Sequence, residues 1–265
     1  MPIHPTAIVD PRAEIDPTAD IGPYVIVDGP VLVGAGTRVL AHAVLVGDTA
    51  IGRDNVIHYG AVIGNVPQDL SYRDAPTGVR IGDRNIIREH AEVHRATALE
   101  HPTELGDDNF LFARAHVAHD CRVGNGVIVA SGAMLAGHVT VGDRANISGN
   151  CVVHQYVRIG RLALLRGGSR TSRDVPPFAI MDWTHTVRAI NRVGLRRAGF
   201  SAERIRALQA AFATLFRTRR NLRLALAEVE AAPMSDDVAE LVTFIRAATR
   251  GVCFGPRHGT GEDAD

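Results

Sequence analysis

Aliphatic residues recur at every sixth position through more than half of the chain. The series is Ile3, Val9, Ile15, Ile21, Val27, Val33, Val39, Leu45, Ile51, Ile57, Ile63, then Ile81, Ile87, Val93, Leu99, Leu105, Leu111, Val117, Val123, Val129, Leu135, Val141, Ile147, Val153, Ile159 and Leu165. Only Asp69 and Ala75 interrupt it. A strand alternates with period two and a helix with period 3.6, so neither explains a period of six. A fixed short period indicates a solenoid of stacked repeats.

The residue two positions before each aliphatic position is usually small, as at Ala7, Ala43 and Ala115. A small side chain suits a tight corner, and three hexapeptides then close one triangular coil. Successive coils stack like strands, about 4.8 Å apart. The pattern therefore predicts that residues eighteen positions apart lie above one another.

The repeat also predicts how the chain is divided. Residues 64–80 are polar and rich in proline, and we interpret them as an excursion loop from the solenoid. A second, shorter irregular piece covers residues 98–103. We expect the solenoid to span residues 1–180, a helical domain residues 181–252 and a disordered tail residues 253–265.

The expected helical domain carries helix-start signals. Ser201 is a plausible N-cap for a helix with apolar residues on one face, and Leu222–Glu230 is predicted as a further helix. Ser235 is the predicted N-cap of a last helix that Gly251 stops.

The composition and net charge of the chain limit the kinds of partner that we expect it to bind. The chain has 265 residues, 46% of them hydrophobic, and a formal net charge of +0, which argues against nucleic acid or a membrane surface as a partner. Its start resembles no signal peptide and it contains no transmembrane-length apolar run, so we expect a cytoplasmic protein. The three cysteines lack CxxC spacing and predict neither a disulfide framework nor a zinc ribbon. Arginine is dense between Arg188 and Arg223, which suggests either a site for an anionic partner or a solvated helix face.

Histidines concentrate on one edge of the predicted solenoid. The segment Ala115–Cys121 contains His116 and His119, and Asp120 follows directly. The same edge of the next two coils carries Gly137, His138, His154 and Gln155. A positioned imidazole is the usual general base near neutral pH. The clustering indicates a catalytic or binding site rather than scattered surface residues.

These features together resemble the UDP-N-acetylglucosamine O-acyltransferases of lipid A biosynthesis, over nearly the whole chain. The specific motifs are Gln68-Asp69-Leu70, Ile81-Gly82-Asp83-Arg84-Asn85, His94-Arg95, Ala115-His116-Val117-Ala118-His119-Asp120-Cys121, Leu135-Ala136-Gly137-His138-Val139, Val153-His154-Gln155, Asp174-Val175-Pro176-Pro177 and Arg196-Arg197-Ala198-Gly199-Phe200. The resemblance implies an all-β left-handed parallel β-helix with a C-terminal helical domain. It also implies a homotrimer with active sites in the clefts between subunits.

The resemblance implies a reaction as well. A 3-hydroxyacyl chain would move from acyl carrier protein to the 3-hydroxyl of UDP-GlcNAc, the first step of lipid A biosynthesis. By matching motif, His119 is the expected general base, Asp120 orients it, and the backbone N–H of Gly137 stabilises the oxyanion. Phosphopantetheine arrives on the donor substrate, so we expect no separate cofactor and no metal.

The residues that the resemblance assigns to substrate binding are Gln68, Asp69, Arg73, His116, His138, His154, Gln155, His185, Asn191 and Arg197. The resemblance implies that His116, His138 and His154 contact sugar and phosphate oxygens. It also implies that Asp69 contacts the sugar hydroxyls, Gln155 and Arg197 the nucleotide or pantetheine, and His185 the end of the acyl chain. Ser71 stands where the family usually has lysine, and Arg73 is a possible substitute. Val193 and Ala198 also depart from the family pattern on the nucleotide side.

Three alternatives stay open at this point. The acceptor could be a different sugar nucleotide, including a 3-amino sugar. The histidines could be zinc ligands, as in γ-class carbonic anhydrases, although His116 and His119 are not spaced like the ligands of that family. The chain could also be a non-catalytic trimeric platform, which predicts no focused polar cluster.

Overall fold

The chain winds into a triangular prism of three parallel sheets, as seen in a computed structural model. The structure describes residues 3–218 and 221–256. In each coil the chain passes through the first, the second and the third sheet in turn. The first corner leads from the first sheet to the second, and the second corner leads from the second sheet to the third. The third corner leads from the third sheet back to the first. The architecture is a left-handed parallel β-helix with C-terminal helices, as predicted.

Most strands are only two to four residues long because each face of a coil is short. The first sheet contains Ile8–Val9, Ile26–Asp28, Val44–Val46, Val62–Asn65, Glu92–His94, His116–Val117, Met134–Leu135, Val152–Val153 and Arg170–Thr171. The second contains Glu14–Ile15, Leu32–Val33, Asp48–Ile51, Gly78–Ile81, Thr103–Leu105, Arg122–Val123, Thr140–Val141 and Arg158–Ile159. The third contains Asp20–Ile21, Arg38–Val39, Val56–Ile57, Ile86–Ile87, Phe110–Leu111, Ile128–Val129, Asn146–Ile147, Leu164–Leu165, Ala179–Asp182 and Thr186–Ile190.

The aliphatic positions of the hexapeptide fill the centre of the prism. Leu45, Ile87 and Leu135 are fully buried, and so are most other members of the series. Their burial removes apolar surface from water at roughly 25 cal/mol per Å², which makes this column the main stabilising feature of the solenoid. Leu99 was wrongly assigned to it: this side chain is 67% exposed, because it lies in the second irregular piece.

Both departures from the repeat leave the solenoid at the first corner. The excursion lies between the strands Val62–Asn65 and Gly78–Ile81, and the second piece between Glu92–His94 and Thr103–Leu105. Residues one coil apart are separated by 18 positions in regular coils, by 30 across the excursion and by 24 across the second piece. The added lengths are multiples of six, which is why the aliphatic phase survives them. The two loops therefore stack beside each other at one edge of the prism.

The third sheet continues past residue 180, where the sequence places the domain boundary. Ala179–Asp182 pairs in parallel with Leu164–Leu165, and Thr186–Ile190 turns back antiparallel to it. The first helix begins only at Arg192. This hairpin therefore joins the prism to the helices.

Four helices follow: α1 Arg192–Arg197, α2 Ala202–Phe216, α3 Leu222–Glu230 and α4 Asp236–Arg246. Ser201 caps α2 by accepting from Arg204 N–H, and Ser235 caps α4 by accepting from Val238 N–H, as the sequence predicts. Buried Asp237 accepts two hydrogen bonds from the Arg204 guanidinium, 2.7 and 2.8 Å long, which joins α4 to α2. Arg219 and Arg220, part of the arginine-rich stretch, lie outside the described residues.

The C-terminal segment is ordered as far as it is described. The Val187 N–H donates to the Phe254 carbonyl at 2.9 Å, and Cys253 is fully buried, although both residues fall within the tail predicted to be disordered. The rest of that tail, from residue 257, lies outside the described residues. Within the described ranges, no helix combines the length and apolar character needed to cross a bilayer.

Candidate active site

Two columns of residues run along the first corner, in the coils that follow its two loops. One contains His119, Gly137 and Gln155, and the other Asp120, His138 and Tyr156, each residue belonging to a successive coil. The second column adopts left-handed backbone conformations, with φ of 59°, 61° and 64°. This conformation is sterically costly for residues with a Cβ, so the corner geometry imposes it. The histidines that the sequence places on one edge of the solenoid therefore lie along the first corner of the prism.

His119 is held in one orientation by its neighbour. Its Nδ1 lies 2.7 Å from Asp120 Oδ2, and only 5% of its side chain is exposed. Burial raises the pKa of Asp120, but hydrogen bonds from His119 and Thr97 outweigh burial and keep that pKa below its usual value. An ionised carboxylate can only accept, so His119 Nδ1 carries a proton. In the neutral imidazole, Nε2 is then the unprotonated nitrogen.

Asp120 is fixed by the second irregular piece, a role that the sequence did not reveal. The Thr97 N–H donates to Oδ1 at 3.0 Å, and the Thr97 hydroxyl donates to Oδ2 at 2.7 Å. The N–H of Asp120 donates to the Thr103 hydroxyl at 2.8 Å. Thr97 thus fixes the carboxylate that orients His119, and Thr103 fixes the backbone of the same residue.

Gly137 lies directly against the imidazole of His119, which belongs to the preceding coil. A Cβ at this position would come within 2.3 Å of His119 Cε1 and 2.6 Å of Nε2, so only glycine fits. Its N–H donates no hydrogen bond to another part of the described chain, whereas its carbonyl accepts from Tyr156. A free backbone donor thus lies next to the unprotonated nitrogen of His119.

His138 completes this group. Its ring stacks on Tyr156, with ring centroids 4.4 Å apart and planes 7° apart, and meets His119 edge to face at 5.3 Å. His138 Nε2 lies 3.5 Å from Asp120 Oδ2. Tyr156 was not among the predicted site residues, although its position eighteen residues after His138 was a signal for the stack.

The excursion loop brings Asp69 to the same place. Asp69 Oδ2 is 3.9 Å from His119 Nε2, while Oδ1 accepts from both the N–H and the hydroxyl of Ser71, each at 2.7 Å. The hydrogen bonds from Ser71 lower the pKa of Asp69 below its usual value. Gln68 is exposed beside it. Arg73 folds back on its own loop, donating to the carbonyls of Leu70 and Tyr72 at 2.8 and 2.9 Å.

His116 lies on the outer face of the first sheet, next to two further ionisable side chains. Its Nδ1 is 3.0 Å from Glu92 Oε2, and its ring centroid is 5.1 Å from that of His94. Burial lowers the pKa of His116 more than the Glu92 hydrogen bond raises it. The neutral imidazole is therefore favoured.

Three predicted residues continue along the first corner away from the loops. His154 and Gln155 are exposed one coil beyond Gly137, and Arg250 Nη2 lies 3.4 Å from His154 Nδ1. His185 reaches the following coil, where its Nδ1 lies 3.2 Å from the Thr171 hydroxyl. Burial lowers the pKa of His185. At about 4.8 Å per coil, His185 lies on the order of 15 Å along the axis from His119.

Asn191 and Arg197 do not join this group within one chain. Asn191 caps α1 by accepting from Gly194 N–H at 3.0 Å, and its Nδ2 donates to the Leu162 carbonyl at 2.9 Å. Arg197 is exposed at the end of α1, where its carbonyl accepts from Arg144. Arg144 and Leu162 belong to the second corner, so the second sheet separates these residues from His119.

The site at this edge is partly open to solvent, since the side chains of Asp69 and His138 are 31% and 32% exposed. A cavity of about 1060 Å³ lies elsewhere, between the C-terminal segment and α2, with Arg173, Arg188 and Phe216 in its wall. It contains none of the clustered histidines. We locate the candidate site at the first corner because oriented imidazoles, carboxylates and a free N–H converge there.

Comparison with known proteins identifies relatives along the whole chain. Residues 174–253 match the model for domain 2 of UDP N-acetylglucosamine O-acyltransferases, and residues 102–137 match the bacterial transferase hexapeptide repeat. The chain is 43% identical over 249 residues to an acyl-[acyl-carrier-protein]--UDP-N-acetylglucosamine O-acyltransferase of Gloeothece citriformis, covering 94% of this chain and 90% of that one.

Solved structures agree with these sequence relatives. The UDP-N-acetylglucosamine acyltransferase of Bacteroides fragilis superposes with a TM-score of 0.90 at 37% identity, covering 94% of this chain and 99% of that one. The Francisella novicida enzyme of the same name has a TM-score of 0.92 at 33% identity, with 96% and 95% covered.

Proposed function

This chain belongs to the family of acyl-[acyl-carrier-protein]--UDP-N-acetylglucosamine O-acyltransferases, and on that premise we propose which residues perform the transfer. The reaction moves a 3-hydroxyacyl chain from acyl carrier protein to the 3-hydroxyl of UDP-GlcNAc and begins lipid A biosynthesis in the cytoplasm. The observation that carries the assignment is the 2.7 Å contact between His119 Nδ1 and Asp120. It leaves Nε2 as a base on the open side of the corner.

His119 Nε2 removes the proton of the sugar hydroxyl as the oxygen attacks the thioester carbon. A sugar hydroxyl is a poor nucleophile near neutral pH, and a positioned base contributes about 10²–10⁴-fold in rate. The carbonyl oxygen becomes an oxyanion, which the free N–H of Gly137 stabilises. Collapse breaks the C–S bond, and the proton held by His119 passes to the departing pantetheine thiolate, which leaves as the thiol.

Substrate placement follows the order of groups along the first corner. Asp69 and His119 lie close enough to contact neighbouring hydroxyls of one sugar ring. His116 and His138 flank that position and offer ring nitrogens to sugar and phosphate oxygens. His154 and Gln155 lie two coils along the axis from His119, and His185 lies three, so a long substrate can extend along this edge.

We also propose that the active enzyme is a homotrimer. Exposed Ile8, Ile26, Met134 and Val152 lie on the outer face of the first sheet, in register with one another in two pairs. His116 pairs with Met134 in the same column. An apolar flank beside the site is suited to a second subunit. Such a subunit would also bring Arg197 from its second corner, which one chain alone cannot do.

Light scattering tests the assembly. A trimer at micromolar concentration is expected, and Met134→Asp should dissociate it. A stable monomer of the unaltered chain would contradict both the trimer and the shared site.

Transfer assays on His119→Ala test the base. We expect activity to fall about 10²–10⁴-fold while circular dichroism and oligomeric state stay unchanged. His101→Ala, an exposed histidine on the second irregular piece, is the matched control. If His119→Ala retained more than about a tenth of the activity, another group would be the base.

The acceptor is tested with UDP-GlcNAc and its 3-amino analogue, each with 3-hydroxyacyl carrier proteins of several chain lengths. Turnover of UDP-GlcNAc is expected. Turnover of the amino sugar alone would keep His119 as the base but change the substrate. Arg73→Ala should weaken nucleotide binding if Arg73 replaces the family's lysine, and Arg73→Lys should restore it.

A further inference from the structure

We propose that Glu92, His94 and His116 form a binding site for a transition-metal dication such as Zn²⁺. Glu92 and His94 belong to one strand of the first sheet, and His116 is the direct register partner of Glu92 on the next strand. One ligand atom from each residue lies within 4.8 Å of the other two. Two imidazoles and one carboxylate are a common catalytic or exchangeable zinc ligand set.

Two of the three distances between ligand atoms are close to those of a tetrahedral site. Zn–N and Zn–O bonds of about 2.0–2.1 Å place neighbouring ligand atoms roughly 3.3 Å apart. Here Glu92 Oε2 is 3.0 Å from His116 Nδ1 and 3.6 Å from His94 Nε2. Shifts of a few tenths of an ångström would therefore admit the ion without moving the strands.

His94 supplies the second, independent observation. Its side chain is 5% exposed, and its Nδ1 lies 2.7 Å from the carbonyl oxygen of Val66. A carbonyl only accepts, so Nδ1 carries a proton, and Nε2 is the ring nitrogen that faces the Glu92 carboxylate. Nε2 is 3.6 Å from Glu92 Oε2, too far for a hydrogen bond, so this buried ring nitrogen is available to bind a cation. Backbone carbonyls orient metal-binding histidines in this way.

The other two ligands suit an accessible site. His116 is held at the site by its 3.0 Å contact with Glu92, and its side chain is 19% exposed. The Glu92 side chain is 44% exposed, which leaves a path for the ion and a position for water. Sequence spacing did not indicate the site, because Glu92 and His116 are 24 positions apart across an irregular loop.

This site differs from a carbonic anhydrase centre built on the catalytic histidines. His119, Asp120 and His138 also lie within ligand distance of one another, but Nδ1 of His119 is already bonded to Asp120. Metal binding at Glu92 would instead occupy His116. If the proposed function holds, a metal ion bound to His116 removes one imidazole from substrate binding. The ion therefore inhibits acyl transfer reversibly.

Calorimetric titration of the EDTA-treated full chain with ZnCl₂ tests the proposal directly. We expect one equivalent to bind at this cluster, with Co²⁺ giving the visible absorption of a four-coordinate ion. Glu92→Gln and His94→Gln should each weaken Zn²⁺ binding by at least about tenfold, since even loss of an orienting partner has that effect. His101→Ala is the matched control and should bind as the unaltered chain does.

His138→Ala distinguishes the two clusters. Loss of binding in this variant, with normal binding in Glu92→Gln, would place the metal at the catalytic histidines and overturn the proposal. Absence of any binding by the unaltered chain would do the same. Glu92 is half-exposed, so Glu92→Gln is expected to fold, and circular dichroism checks this. None of these results depends on acyl transfer, so failure here leaves His119 as the proposed base.

Discussion

Thr97 donates both its backbone N–H and its hydroxyl to the carboxylate of Asp120, the residue that orients His119. Thr97 directly precedes the second irregular piece, and Thr103, which accepts from the Asp120 N–H, ends it. The six additional residues in this coil therefore place one hydroxyl on the carboxylate of Asp120 and another on its backbone N–H. We infer that this irregularity positions Asp120 and the proposed base His119.

Thr97→Val should lower both stability and activity. The change removes a 2.7 Å hydrogen bond to an ionised, partly buried carboxylate, which typically contributes about 1.5–3 kcal/mol. Losing a donor to the charged form raises the pKa of Asp120, so the acidic limb of the pH–rate profile should move to higher pH. Denaturation and transfer rates across pH measure the two effects.

Controls for Thr97 exist in the same chain. Thr97→Ser keeps the hydroxyl and should restore the profile. Thr18→Val removes a comparable 2.6 Å hydrogen bond to Asp16 at another corner and should leave the pH–rate profile unchanged. An unaltered profile in Thr97→Val would show that Thr97 has only a structural role.

Gly137→Ala should abolish transfer. The new Cβ would come within 2.3 Å of the His119 ring, so the imidazole must rotate away from Asp120. We expect a loss of at least about 100-fold in kcat, the lower range for a displaced base. Gly149→Ala is the control, because its Cβ would meet nothing closer than the Ser131 carbonyl oxygen at 3.3 Å. Near-normal turnover by Gly137→Ala would mean that His119 is not held where the reaction requires it.

The sequence predicted the coil and its core because each aliphatic residue of the hexapeptide faces the centre whatever its neighbours are. It could not predict pairing across the two loops, since insertions that are multiples of six leave the phase unchanged. A constant spacing of eighteen would place His116 above Ala98 rather than Glu92, its true partner. Thr97 and Glu92 were missed for this reason.

The remaining gaps have a similar physical cause. The hairpin Ala179–Asp182 with Thr186–Ile190 lacks the hexapeptide pattern because it turns antiparallel, and only pairing with the previous coil defines it. Asn191 was assigned to substrate binding by motif, yet its amide caps α1 and donates to Leu162. Its role with substrate stays a prediction.

Folding stability should depend on pH through His58. Burial, and secondarily Arg88, lower the pKa of His58 below its usual value, although Glu89 opposes this. Between the folded pKa and about 6.5, the unfolded chain binds this proton more readily. The contribution of His58 to folding stability is therefore fully present above about pH 6.5. It is lost as the pH falls from about 6.5 through the folded pKa of His58.

Denaturation curves across that window measure the effect. His58→Gln should reduce the slope of unfolding free energy against pH by an amount that corresponds to less than one bound proton. His101→Gln should not change that slope. Equal slopes for His58→Gln and the unaltered chain would rule out His58 as a contributor.

Tyr156→Ala should raise the KM for the sugar nucleotide with little change in kcat. The Tyr156 ring holds His138 by stacking at 4.4 Å, and an aromatic pair of this kind contributes about 0.5–1.5 kcal/mol. Releasing His138 should therefore raise KM roughly 2- to 12-fold. Tyr156→Phe keeps the stack and should behave as the unaltered enzyme does. Tyr24→Ala breaks a similar stack on His42 at another corner and should leave KM unchanged. If kcat fell and KM did not, His138 would act in the chemical step rather than in substrate binding.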